Sequence, residues 1–143
     1  MLIIPSHSGI FMPKMANFHR KCSKVSHQSR QIIYKIEDKS KWSVALSNGV
    51  YIGAPIDLTD GFIHFSTAGQ VRETAARHFG GREGLIIAAI DAEQLGSGLK
   101  WEVSRGGALF PHFYGQLDMK AVIMTYDLPL NENGEHDFAE EIC

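Results

Sequence analysis

The segment Asp60-Gly61-Phe62-Ile63-His64-Phe65-Ser66-Thr67 holds the densest chemistry in the chain. It sets one imidazole at the end of an apolar run, directly before two hydroxyl residues. An imidazole titrates with an ordinary pKa of about 6.5, so it can orient a ligand or move a proton near neutrality. Apolar neighbours on both sides allow a second reading, a core histidine satisfied by a backbone carbonyl. Thr67 followed three residues later by Gln70 matches a capping box, which predicts a helix start. The first N–H groups of such a helix have no intrahelical partner and suit an anionic or sugar-like ligand. Ser66 and Thr67 are therefore read together, one capping the helix and the other a candidate ligand contact.

A second constellation lies downstream. Trp101, Glu102 and Arg105 precede Gly106-Gly107 and could supply a stacking wall, an acid/base and an anion clamp. They read equally well as a core Trp beside a surface Glu–Arg pair worth less than about 1 kcal/mol. In Phe110-Pro111-His112-Phe113-Tyr114, Pro111 holds Phe110 extended, and His112 is a second candidate for catalysis or binding. The aromatic residues there, Tyr114 included, serve either as packing or as a stacking surface. His64, His112 and Glu102 lack any HxH or HExxH spacing, so no metal is assigned. His78, beside Phe79 at the end of a predicted helix, reads as structural.

The elements that position these residues follow from periodicity. Ile32-Ile33-Tyr34-Lys35-Ile36 predicts a first strand. Ser40 is expected to cap a short helix carrying Trp42, Ala45 and Leu46 and ended by Gly49. Val50 to Thr59 reads as a connecting loop. Val71, Ala75 and Phe79 mark the buried stripe of a helix over about 67–79, with Glu73 and Arg77 paired on its wet face. Leu85 to Ile90 is wholly apolar, which predicts a central strand covered on both faces. Asp91 to Leu95 reads as a helical turn and Leu99 to Val103 as a half-buried strand. Ala121 to Tyr126 reads as the last strand. Short strands outnumber helices, so the class is α+β: small, mainly antiparallel sheets with one principal helix.

Composition narrows the function classes. The chain has 143 residues, 44% hydrophobic and 21% charged, which suits one globular domain. No run approaches the roughly 18 apolar residues that a membrane span needs. Cys22 and Cys143 make a poor disulfide pair, and a reducing, cytoplasmic setting is expected. The net charge of −2 hides a division, since residues 1–31 carry five basic and no acidic residues. That stretch, without helical or strand period, is expected to be a disordered or artefactual extension. The domain is placed at 32–128, and 129–143 reads as a loose tail. The acidic body argues against a nucleic-acid partner. A small-molecule ligand is the expected partner, and the oligomeric state is open.

The motif order IYKI, DGFIHFST, an apolar strand, LKWEVSRGG and FPHFYG closely resembles a family of small, mostly bacterial proteins of unknown function, family nine-five-two. The resemblance covers residues 32 to about 127 and implies an ADP-ribosyltransferase-like arrangement of small sheets around a cleft for NAD. It implies that Lys35 or Tyr34 stands where such enzymes hold the NAD ribose. The strand ending in Ser66-Thr67 matches their second element. Their third is a glutamate on a late strand, and Pro111 to Tyr114 carries no carboxylate there. Glu102 lies one strand earlier. The resemblance thus implies His64, Glu102 and His112 as catalytic candidates. Lys35, Ser66, Thr67, Trp101, Arg105 and Tyr114 would contact NAD, the substrate rather than a resident cofactor. The alternative is a binding or interaction module without transferase chemistry.

Overall fold

A computed structural model describes residues 31–142, of which Gln31–Ala139 form one compact unit and Glu140–Ile142 fall outside it. The extension expected before residue 31 lies outside the described residues. A run such as Leu85 to Ile90 has no polar face to offer water, and it forms β4 (Leu85–Asp91), buried at each of those six positions. It lies between β1 (Ile32–Asp38) and β8 (Val122–Asp127), antiparallel to both. Ile33 faces Ile90 and Ile36 faces Ile87 across the first pair. The β8 register shifts at Ala89/Ile90, a bulge.

The second three-stranded sheet is also antiparallel. It runs β3 (Ile63–His64), β6 (Leu109–Phe113) and β5 (Leu99–Val103), in that spatial order. The two sheets meet just after β3. There Phe65 N–H donates to the Pro111 carbonyl at 3.0 Å, while Ser66 and Tyr34 exchange backbone bonds at 2.7 and 2.9 Å. The chain thus passes from one sheet to the other within two residues. A small ribbon pairs β2 (Val50–Tyr51) with β7 (Leu117–Asp118). Ile33, Ile63, Phe65, Ile90 and Phe113 meet Trp42 and Leu117 in the core.

Three α-helices lie among the described residues, rather than one principal helix: α1 (Lys39–Asn48), α2 (Pro55–Asp60) and α3 (Ala68–His78). The last begins as its capping pattern predicts, with Gln70 Oε1 accepting the Thr67 N–H at 3.0 Å. Its stripe buries Val71 and Ala75, and Arg77 bonds Glu73 at 2.9 Å. The first starts at Asp38, not Ser40, because β1 runs directly into it, and Gly49 ends it at φ 78. The expected loop at 50–59 instead contains β2 and α2. Proline at the first position of α2 supplies a φ already suited to a helix, so six residues suffice. Gly61, at φ 89, closes it.

The segment expected as a loose tail makes contacts of its own, and the compact unit runs on to Ala139. Asn131 Oδ1 accepts the N–H groups of Asn133 and Glu135 at 2.8 and 3.0 Å, which folds the segment back on itself. Leu130 then bridges His136, and the Arg72 guanidinium lies 4.8 Å from the Phe138 ring centroid. No helix among the described residues is long and apolar enough to cross a membrane.

Candidate functional site

Successive strand residues point to opposite faces, so β3, β6 and β5 sort their side chains by position. Ile63, Phe113 and Leu99 turn toward the core. His64, His112 and Glu102 share the other face. His64 is the direct cross-strand partner of His112, and their ring centroids lie 5.4 Å apart, edge to face. The Phe62 ring stacks on His112 at 4.2 Å and lies 4.6 Å from His64 and 5.2 Å from Tyr114. An aromatic floor therefore carries two imidazoles.

Each imidazole is backed by a carboxylate. The Asp57 side chain of α2 is 1% exposed, and its carboxylate accepts four hydrogen bonds. Its Oδ1 accepts the His64 Nδ1–H at 2.6 Å and the His64 backbone N–H at 3.1 Å. Its Oδ2 accepts Lys35 Nζ and the Ala54 N–H, both at 2.8 Å. Burial pushes the Asp57 carboxyl up, but the His64 hydrogen bond and the Lys35 charge outweigh it and hold the group down at about 2. An ionised carboxylate only accepts, so the proton of that bond sits on His64 Nδ1. The opposite nitrogen, Nε2, lies 2.9 Å from Asp60 Oδ2. The His64 side chain is 32% exposed and reachable from solvent.

His112 is buried, and its Nδ1 contacts Glu102 Oε1 at 2.8 Å. Tyr114 donates its hydroxyl to both oxygens of Glu102, at 2.9 and 3.1 Å. The His112 and Tyr114 bonds lower the Glu102 carboxyl below its ordinary range, and the same Glu102 bond raises the Tyr114 phenol. Alternating carboxylate and imidazole groups can shift protons and can hold sugar or amide groups by hydrogen bonds. Two surface cavities, of about 570 and 360 Å³, lie elsewhere on the unit, and neither includes these side chains.

The candidates from sequence therefore divide. His64, His112, Glu102 and Tyr114 converge. Lys35 sits behind them, engaged by Asp57 and by the His64 carbonyl at 3.0 Å. Ser66 and Arg105 belong to a second group on α3: Ser66 Oγ bonds Thr74 Oγ1 at 2.9 Å, and Arg105 donates to that atom at 3.2 Å. The guanidinium also stacks over Phe110 at 4.9 Å. Thr67 is engaged in starting the helix. Trp101 lies on the opposite face of β5 from Glu102, 38% exposed, so it is neither a core residue nor part of the imidazole cluster. Asp57, Asp60 and Phe62 escaped the sequence reading as site residues. The signal for Asp57 was proline two residues before an acid, the start of a helix that places a carboxylate among free N–H groups.

Comparison with known proteins agrees with the family reading. The family described as "Protein of unknown function (DUF952)" matches residues 36–125, and the chain belongs to it. The crystal structure of protein CC0527 from Caulobacter crescentus is similar at 45% identity and a TM-score of 0.72, over 74% of this chain and 93% of that one. Its double mutant, at 44% identity, gives 0.71 over the same shares. The solution structure of CC0527, at 46% identity, gives 0.67 over 73% of this chain and 90% of that one. No curated protein matches significantly.

Proposed function

We propose that this member of the family binds a nucleotide-like small molecule, NAD in the first instance, on the face formed by β3, β6 and β5. The observation that carries the reading is the pair of carboxylate-backed imidazoles, His64 and His112, standing edge to face over Phe62. Two small three-stranded sheets joined at Tyr34 and Ser66 support the ADP-ribosyltransferase-like arrangement that the sequence resemblance implies. His64 contacts the ribose through Nε2, Phe62 and Tyr114 offer ring surface, and Glu102 faces the positive charge that grows on the ribose as its bond breaks. In that reaction the bond between nicotinamide and ribose breaks with its electron pair going to nicotinamide. An acceptor hydroxyl or water replaces Asp60 at His64 Nε2, bonds to the ribose carbon and gives its proton to that nitrogen.

Incubation of the protein with NAD, with nicotinamide release followed by chromatography, tests the catalytic form. His64→Ala should lower the rate by about a hundredfold or more. No release and no binding at millimolar NAD would discard the proposal.

One observation favours a binding role without turnover. Asp60 covers His64 Nε2, and Glu102 is already engaged by His112 and Tyr114. Calorimetry showing NAD binding with no nicotinamide release would establish that reading.

A further inference from the structure

We infer that Asp57 is the positioning residue of this site: its Oδ1 fixes the His64 ring with Nδ1 inward and protonated, so that Nε2 is the nitrogen presented to a ligand. The inference deepens the proposed role of His64 and rests on it for its functional meaning. The carboxylate is divided between two tasks. Oδ2 serves the scaffold, accepting the Ala54 N–H at the start of α2 and the Lys35 ammonium of β1. Oδ1 serves His64 alone, accepting both its backbone N–H and its Nδ1–H. A residue that only capped the helix and neutralised Lys35 would need one oxygen.

The surroundings agree with a ring held in one orientation. The charged and titratable groups that face His64 are Lys35 from β1, Asp57 and Asp60 from α2, and His112 from β6, with Glu102 of β5 behind His112. Asp57 alone among them touches Nδ1, and it is buried where Asp60 is more than a third exposed. A fixed carboxylate on one nitrogen and an exposed one on the other give the ring a structural side and a working side. Sequence separation is small: Asp57 and Asp60 are the third and last residues of one six-residue helix, seven and four residues before His64.

Two-bond proton–nitrogen correlation spectra of the intact protein with labelled histidine report which ring nitrogen carries the proton. Both ring nitrogens face a carboxylate, so once the ring holds a single proton, wild-type His64 is expected to keep it on Nδ1, against the buried Asp57, rather than on Nε2, against the exposed Asp60. Asp57→Asn should move the population toward Nε2–H, whereas Asp60→Asn should leave it on Nδ1. The double variant Lys35→Met with Asp57→Asn removes both buried charges together and gives the same readout should Asp57→Asn alone fail to fold. A wild-type ring in the Nε2–H form overturns the inference, as does a double variant whose ring matches wild type. If the spectra behave as expected and the protein neither binds nor cleaves NAD, the ligand assignment fails and the positioning role stands.

Discussion

At the scale of single residues, Asp57 links stability to pH. Its folded-state pKa, about 2, lies below the ordinary 3.8, so the stability it contributes is present above about pH 4 and is lost as pH falls through 2. The shift corresponds to roughly 2 kcal/mol, so urea denaturation should show that much destabilisation between about pH 5 and pH 2 beyond what Asp57→Asn shows. Lys35 is the other half of the pair. Lys35→Met leaves the buried carboxylate without its ammonium and should cost about 3 kcal/mol. Adding Asp57→Asn to it should cost less than the two separate effects combined, because the partners share one interaction. Equilibrium unfolding of the single and double variants checks both statements.

At the scale of elements, the site depends on a turn and a cap. Gly53 holds φ at +115, and a Cβ there would fall 2.8 Å from the Cβ of Asp57. Gly53→Ala combines backbone strain with a clash against the residue that orients His64. A loss of about 1–3 kcal/mol is expected, together with a displaced His64 ring resonance. Gln70 acts as a clasp, since Oε1 accepts the Thr67 N–H while Nε2 donates to the Leu109 carbonyl of β6 at 2.8 Å. Gln70→Ala should lower the melting temperature by the equivalent of about 1 kcal/mol and leave the His64–Asp57 bond in place.

At the scale of the unit Gln31–Ala139, β4 is the spine. Both of its neighbours pair with it along nearly their whole length, and Ile87 is fully buried. Ile87→Ala should cost about 2–5 kcal/mol, read by chemical denaturation. Amide protons of β4 should be among the slowest to exchange, because opening them requires the sheet to come apart. The imidazole face sits on the other three-stranded sheet, joined to this spine through Ser66 and Tyr34. Its geometry is set by a stable sheet on one side and by the short helix α2 on the other.

Local pattern alone determined much of this protein. An unbroken apolar run predicted a covered strand, Thr67 with Gln70 predicted a helix start, and both elements formed. The motif order placed the chain in its family. The candidates His64, His112 and Glu102 were also legible, since imidazoles and carboxylates beside aromatic residues stand out in any strand. Tertiary structure decided which of them meet. His64 and His112 are 48 positions apart, and only the register of β3 on β6 sets their rings side by side. The same pleat sent Trp101 away from Glu102, one position on. Asp57 stayed hidden because a six-residue helix leaves almost no periodic signal, and because an aspartate reads as surface until the fold buries it beside Lys35 and an imidazole.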